Sequence, residues 1–487
     1  GGRCSNPFFR AEIKSYIVST FIVPLGESSV RPRRSRWWAT TTVAVLTAAL
    51  ALGGLVPSTV AVADTAPKNP ADVTTPETVS ADALPTPQIN GVAWDQLVVG
   101  DTVYVAGSFT SARPFGAAPG VNESPRANFL AYNLKTGDLL PYAPTFNAQL
   151  RALAVSPDGK RLYAVGHFTT VNGQPRYRVA AFDLPSGNLV AGFKPFVDTS
   201  LTSVQVTDTA VYVGGSLSKA AQSTGASSAT YARTKAAAFS AADGKVLPWA
   251  PSMTSGWVNS MILSPGGDKM VIGGSFRDLN GSSNPGWTMG AVDTNTGTTT
   301  LPWKINATVP QHNYLGSNQS VYGLASDGTF VYGVAGPASF EGTFKASWSD
   351  GALETGWLAD CHGDTYSVAP VGDVVYTASH AHDCDNLDGF GDYVAPDKWY
   401  RALAFTNAAT QKTRTDNSGY NSYVGTPAPS LLDWYPTFDI GKATGQGPWD
   451  VTAAQGYVLY GGEFGTVNAK RQQGLSRFAP KTIAPNK

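Results

Sequence analysis

A degenerate repeat of roughly sixty residues constrains the fold of this chain more than any other feature. Its clearest copy runs from Leu150 to Pro195. An alternating apolar run (Leu150 to Val155) is followed by a Pro-Asp-Gly turn and a second run (Leu162 to Phe168). An Asn-Gly turn at Asn172 and Gly173, a third run (Val179 to Leu184), a Ser-Gly turn and a short aromatic-bearing tail complete it. Short period-two runs punctuated by Gly, Asn, Asp and Pro are strands joined by tight turns. The copies align on the second strand and the glycine that ends it. They are VYVAGSF at Val103, LYAVGHF at Leu162, VYVGGSL at Val211, MVIGGSF at Met270, VYGVAG at Val331, VVYTAS at Val374 and VLYGGEF at Val458.

Each copy makes a small antiparallel sheet with two apolar faces, and packing such sheets face to face around an axis buries both. The expectation is an all-β chain whose residues 85–487 form a seven-bladed β-propeller of four-stranded antiparallel blades. Two details at the ends refine it. LPTPQINGVAWDQLVV, from Leu84, reads like the joint between two repeats, although no complete blade precedes it. The seventh copy stops after its third strand, at GLSRFAP. An N-terminal strand is therefore expected to complete the last blade, closing the ring and removing an exposed edge. The aromatic tail positions Tyr142, Phe193, Trp249, Trp303, Trp357 and Trp434 recur once per repeat and are expected to pack between neighbouring sheets.

Charge excludes one class of partner. Lys plus Arg and Asp plus Glu both number 35, so no net basic field exists to recruit nucleic acid. The N-terminal region reads differently from the repeats. Residues 1–29 carry no usable pattern and remain unassigned, with Val30 read as a non-Met start because an export signal over 30–63 follows. Arg31, Arg33, Arg34 and Arg36 form its basic region, Ala39 to Val56 its apolar region, and Ala61-Val62-Ala63 its cleavage motif, with cleavage between Ala63 and Asp64. The Arg33-Arg34 pair leaves twin-arginine export open beside the general route. An uncleaved anchor is the alternative, because the apolar stretch is nearly long enough to span a bilayer. Residues 64–84, rich in Pro, Thr and Ala and without periodicity, read as a flexible linker. The expected product is a secreted, extracellular monomer with no membrane attachment after signal removal.

The GGSF strand ends, the F-x-x-V-N-G turns, the AAFD-x-x-x-G strand and the W-x-P tails together resemble the secreted bacterial β-propeller repeat family. The resemblance covers nearly all of the chain after the signal. It implies an exported propeller, and it implies little about function, although such proteins often carry additional adhesive or sugar-binding modules.

The sixth copy is the most irregular: CHGDTYSVAPVGDVVYTASHAHDCDNLDGFGD, from Cys361. With a two-residue turn at Gly372 and Asp373, Val371 faces Val374, and counting outward pairs Ser367 with Ala378, Thr365 with His380, Gly363 with His382 and Cys361 with Cys384. Directly opposed residues lie close enough for a disulfide after small adjustment, and an exported protein meets an oxidising compartment. The same count puts His380 and His382 on the disulfide face and His362, Asp364 and Asp383 on the other. No cofactor is required by any motif. A zinc-type site from His362, Asp364 and Asp383, or a calcium loop from Asp383, Asp385, Asn386 and Asp388, are the two metal options here. A solvated acidic loop is the plainer alternative.

The early residues of the first strands are Trp94 with Asp95, Arg151, Thr202, Asn259, Tyr322, Tyr366, and Trp449 with Asp450. Repeat-equivalent positions held by unlike polar and aromatic residues suit the mouth of a central channel, either as a mixed binding surface or as water-bonded tunnel filling. In the first and seventh copies the first hairpin is a residue shorter, so either Trp or Asp of each pair could face the channel. No serine-nucleophile elbow, zinc-protease helix, phosphate loop or redox pair of cysteines is present. The leading expectation is an exported, non-catalytic propeller that binds an extracellular glycan or protein. The rival is a secreted glycan-active hydrolase or lyase using Asp95 and Asp450 as paired carboxylates.

Overall fold

The computed structural model describes residues 72, 74–225, 227–309, 319–337, 340–391, 398–416 and 421–484. The expected export signal, the segment before it and most of the linker lie outside these residues. Among the described residues the regular structure is antiparallel β, with two short 3-10 turns at Lys304–Ala307 and Asp385–Leu387. No helix among them is long and apolar enough to cross a membrane.

Seven strands each open a sheet: β1 (Val92–Val99), β2 (Leu150–Val155), β3 (Leu201–Val206), β4 (Val258–Leu263), β5 (Ser320–Ser326), β6 (Thr365–Val371) and β7 (Gly447–Ala454). Each pairs with the strand carrying the aligned glycine or its equivalent, which pairs in turn with a third strand. The sheets opened by β2, β4 and β5 have a full fourth strand. In the other four the outer strand shrinks to single bridges: Tyr132 with Leu139, Phe239 with Val246, Phe405 with Leu431, and Leu84 with Arg477. The last of these joins the beginning of the described chain to its end. Ser80 N–H donates to Ala479 O at 2.9 Å, and Leu84 N–H to Arg477 O at 2.8 Å.

The stretch Thr78–Leu84, read from sequence as the end of a flexible linker, is therefore packed. Thr78, Val79, Ser80 and Ala81 are all buried, and Val79 N–H donates to Tyr376 Oη at 2.8 Å. Its small residues show no period because its partners are distant in sequence and its side chains do not alternate between core and solvent.

The core is divided between neighbouring sheets. Among the described residues seven apolar clusters form, and each is shared by two sheets consecutive in sequence, except one. That one joins Val103, Val105 and Leu130 of the first sheet to Leu459 and Leu475 of the last. The first strands themselves adjoin in order from β1 to β7, and β7 adjoins β1. The tail residues Phe193, Trp249, Trp303, Trp357 and Trp434 are buried in these clusters. Trp249 Nε1–H reaches Asp293 O on the next sheet at 3.0 Å and Trp357 Nε1–H reaches Asn407 O at 2.9 Å, so one aromatic side chain both fills and pins a seam between sheets.

The recurrent Asn-Gly turns behave as their residues require. Asn172 and Gly173, and Asn280 and Gly281, all have positive φ, the conformation Gly and Asn tolerate best. In each, the Asn side chain also accepts a backbone N–H from the preceding tail, at 2.7 Å from Thr145 and 2.8 Å from Ser252.

Candidate functional site

Every first strand carries a β-bulge near its start. The ladder with its neighbour skips one residue, and the skipped residues are Trp94, Arg151, Thr202, Asn259, Tyr322, Tyr366 and Trp449. A bulge leaves its extra residue unpaired and re-aims its side chain. All seven, together with Asp95 and Asp450, line one cavity of about 280 Å³. In five of the seven copies the glycine on which the repeats align makes room for the chain just ahead of the bulge, whereas the sixth has Ser379 at this position. A Cβ on Gly215 would stand 2.3 Å from Ser200 O, and one on Gly214 would stand 2.6 Å from Val258 Cγ1 of the next sheet. The Gly-Gly pair thus serves two close approaches, one to its own bulging partner and one to the neighbouring sheet.

The bulges separate Trp from Asp in the two ambiguous copies. Trp94 and Trp449 are the bulged residues, whereas Asp95 and Asp450 follow them, level with Ser203, Ser260 and Ser367. Residues at this level reach across to the next first strand. Asp95 Oδ2 accepts Leu153 N–H at 2.6 Å, Ser203 Oγ accepts Met261 N–H at 2.9 Å, and Ser260 Oγ accepts Leu324 N–H at 3.1 Å. Ser367 Oγ–H donates to Val451 O at 3.2 Å, and Asp450 Oδ2 accepts Gln96 Nε2–H, also at 3.2 Å. Asp95 and Asp450 are thus members of a polar belt stitching neighbouring sheets.

Above the belt the cavity wall is aromatic on one side. The Tyr366 and Trp449 rings lie 4.3 Å apart, Trp94 stands edge-on to Trp449 at 5.4 Å, and Tyr322 is 5.7 Å from Tyr366. The Arg151 guanidinium sits 4.1 Å over the Trp94 ring, and Trp94 Nε1–H is held by Gln149 Oε1 at 2.9 Å. Tyr366 is set by His380. The Asp364 N–H donates to His380 Nε2 at 3.1 Å, so the proton of the neutral ring is on Nδ1, which lies 2.5 Å from Tyr366 Oη and 2.9 Å from Gln446 Oε1. Burial, then the charge of Arg401, pushes His380 down to about 4, which keeps that ring neutral.

Electrostatics at the belt follow from burial. Desolvation pushes Asp95 up to about 6. It raises Asp450 well above the ordinary carboxylate range, with the charge of Asp95 adding to the effect. Desolvation also brings Arg151 down to about 10.

At the sixth sheet the two cysteines are bonded, Cys361 to Cys384, with Cα atoms 4.2 Å apart. The register expected from counting holds from Val371–Val374 to Ser367–Ala378 and then fails. Tyr366 is the bulged residue, so Thr365 pairs with Ser379 rather than His380. Beyond it, His380 N–H donates to Asp364 O and His382 N–H to His362 O, which puts His362 rather than Gly363 opposite His382. The assignment of faces built on the uninterrupted count falls with it. His380 turns to Tyr366, and Asp364 accepts from Tyr322 Oη at 3.3 Å.

The expected zinc-type set shares His362 with the close grouping of His and acidic side chains, which otherwise draws on different residues. Among the described residues the His and acidic side chains that gather closely are Asp360, His362 and Asp416. Asp364 lies toward Tyr322, and Asp388 pairs with Arg414 at 2.5 Å. Asp383 Oδ1 accepts Asp385 N–H at 3.0 Å at the start of the 3-10 turn. Sequence reasoning missed Asp360 and Asp416. Asp360 directly precedes Cys361 and could have been weighed with His362, whereas nothing local marks Asp416.

No protein-family profile matches this chain, and no curated protein does. Among solved structures it is similar to the RRP9 WD40 repeats, at 10% identity over 83% of this chain and 98% of that one, with a TM-score of 0.48. It is similar also to the computationally designed Ika8 protein, at 11% identity over 82% and 99% of the two chains, TM-score 0.41. A third is the extracellular domain of a hybrid two-component system from B. thetaiotaomicron, at 10% identity over 81% of this chain and 39% of that one, TM-score 0.44.

Proposed function

We propose that the chain is a seven-bladed β-propeller, closed by its N-terminal segment, that is exported and binds a sugar of an extracellular glycan or glycoprotein in the cavity ringed by the seven bulges. The apolar cluster shared by the first and last sheets and the Leu84–Arg477 bridge support closure. The likeness of the repeats to secreted bacterial propellers, and the signal motifs ahead of them, support export.

One observation carries the binding reading. Seven repeat-equivalent positions face one cavity, yet they hold Trp, Arg, Thr, Asn, Tyr, Tyr and Trp. Positions whose task is packing look different in this chain: four of the tail residues are Trp. Trp94, Trp449, Tyr366 and Tyr322 offer flat apolar faces beside polar tips, and Arg151 lines the cavity with no hydrogen bond to its guanidinium among the described residues. Aromatic walls with a few convergent donors suit a ring carrying hydroxyl or carboxylate groups. At 280 Å³ the cavity is near the lower limit of small-ligand pockets, about 300 Å³, and so favours a single sugar ring over an oligosaccharide.

A glycan array with neutral and acidic sugars, paired with a pull-down from cell-wall extract, tests this. Trp449→Ala is expected to weaken a hit at least tenfold, about 1.4 kcal/mol, and blanks in both assays would sink the reading. A second reading rests on the raised, mutually repelling carboxylates of Asp95 and Asp450, the pattern in which one acid holds a proton for a neighbour. Turnover on a polysaccharide panel, abolished by Asp450→Asn with the fold intact, would replace the binder with a glycan-active hydrolase or lyase.

A further inference from the structure

Between the end of the fifth sheet and the start of the sixth, the chain gathers two buried carboxylates around one buried imidazole. Asp360 closes the outer strand Trp357–Asp360. His362 follows two residues later, and Asp416 arrives from a long insertion, residues 407–430, between the third strand of the sixth sheet (Tyr400–Thr406) and its outer bridge at Leu431. All three side chains are almost wholly buried, at 1–2% exposure. Asp416 Oδ2 lies 2.5 Å from His362 Nε2, and Asp360 Oδ1 lies 3.8 Å from His362 Nδ1. One ligand-type atom from each residue can be chosen so that all lie within 4.8 Å of one another. Nitrogen and oxygen ligands about 2.1 Å from a tetrahedrally bound ion stand about 3.4 Å apart, so small shifts would bring the set to coordination distance.

An independent observation points the same way. Asp383, 1% exposed, has an Oδ2 with no hydrogen-bond partner among the described residues, and its N–H donates to Cys361 O at 3.2 Å, between Asp360 and His362. Asn386, on the turn that follows, has a buried Oδ1 with no hydrogen-bond partner among the described residues, while its Nδ2–H holds Asp360 O at 2.8 Å. Buried carboxylate oxygens left without donors are costly unless a cation faces them. The disulfide fixes the frame. Cys361 lies between Asp360 and His362, and Cys384 directly follows Asp383, so one covalent bond holds both ligand-bearing segments together.

We propose that Asp360, His362 and Asp416, with Asp383 as a third carboxylate and fourth ligand, bind a divalent cation that accepts mixed nitrogen and oxygen ligands, of the zinc or manganese type, and that the ion staples the insertion to the sixth sheet. The donor set argues for this class: one imidazole with carboxylates suits zinc or manganese, whereas calcium takes oxygen alone. Binding displaces protons from the carboxylates and the imidazole, so it strengthens as pH rises.

The test uses tag-free protein stripped with EDTA and titrated separately with Zn²⁺, Mn²⁺ and Ca²⁺, followed by thermal melt, native mass spectrometry and trypsin digestion. The expected result is one equivalent of Zn²⁺ or Mn²⁺ bound, a melt raised by several degrees, and slower cleavage after Lys412 and Arg414, the exposed basic residues of the insertion. His362→Gln and Asp416→Asn should each abolish all three effects. If His362→Gln fails to fold, Asp416→Asn and the tetrahedral visible spectrum of Co²⁺ on the wild type carry the test. Stabilisation by Ca²⁺ alone, no stabilisation by any of the three ions, or a Zn²⁺ shift that survives in Asp416→Asn would each overturn the proposal.

Discussion

Replacing Cys384 by Ser opens the one covalent link outside the backbone in the described chain. The cysteines are 23 residues apart, and the chain-entropy relation for a loop of that length gives about 3.4 kcal/mol of stabilisation by restricting the unfolded chain. Two corrections act in opposite directions. The cysteines already close a β-hairpin, and residual hairpin in the unfolded ensemble reduces the entropy that the bond removes. Against that, Cys384 is fully buried in an apolar cluster with Trp357, Leu387 and Leu403, where a serine hydroxyl needs a partner and costs about 1 kcal/mol without one. A net loss of about 2 to 4 kcal/mol is expected. Guanidinium melts of wild type, Cys384→Ser and Cys361→Ser measure it, and trypsin cleavage after Lys412 or Arg414 reports whether the insertion loosens while the other sheets persist. Two reactive thiols in the denatured, unreduced wild type would refute the bond, and an unchanged denaturation midpoint in both variants would refute the energetic reasoning.

Further outcomes follow from the belt, a turn and the chain ends. Asp95 and Asp450 have folded pKa values above the unfolded value of 3.8, so the folded state keeps protons the unfolded chain has released and stability is lost as pH rises from about 4 through 6 and beyond. Asp450→Asn removes the repulsion, so its melting temperature relative to wild type should climb between pH 4 and pH 8; a difference that stays flat would contradict the coupling. Ala469 has φ 59 where the equivalent turns have Gly, and Ala469→Gly should therefore stabilise by about 1 kcal/mol in a chemical melt. Truncation to begin at Gly91 removes Val79 and Leu84 from the edge of the last sheet, together with the Pro85 O and Thr86 Oγ1 that accept from the buried Arg477 guanidinium. It should lower the melting temperature sharply, and an unchanged melt would refute closure.

What the sequence revealed depended on how far apart the cooperating residues lie. Strands, turns and the seam-filling aromatics are each specified within one repeat, and periodicity and turn chemistry recover them. The bulges were hidden in plain view. In most copies the strand-ending glycine used for alignment leaves room for them, yet a residue skipped by the ladder has no composition of its own. That omission carried into the sixth sheet, where counting an even register past Tyr366 paired Thr365 with His380 and sorted the histidines on the wrong assumption. The cysteines are bonded all the same, with Asp383 rather than Cys384 donating its N–H to Cys361 O and the two Cα atoms 4.2 Å apart. Asp416 could not be found at all: its position beside His362 depends on the path of an insertion, not on any local pattern.

The bulges also divide labour in a way that two neighbouring substitutions can expose. A residue outside the ladder can change without breaking sheet hydrogen bonds, whereas the residue after it holds the next sheet. In the described structure Arg151 makes no hydrogen bond through its guanidinium and contributes a cation–π contact with Trp94, so Arg151→Ala should cost no more than about 1 kcal/mol of stability. Relief of its desolvation, seen in its lowered pKa, offsets part of even that. Ser203 is different. Its Oγ accepts the Met261 N–H in a buried setting, and Ser203→Ala leaves that donor unsatisfied at a cost of about 1 to 3 kcal/mol, although the side chain lost is far smaller. Ligand affinity should reverse the order, with Arg151→Ala impairing a sugar hit and Ser203→Ala sparing it once the protein is folded. If the two variants ranked the same way in melt and in binding, the bulged and belt positions would share one role, and the separation of binding from scaffold at these strands would be wrong.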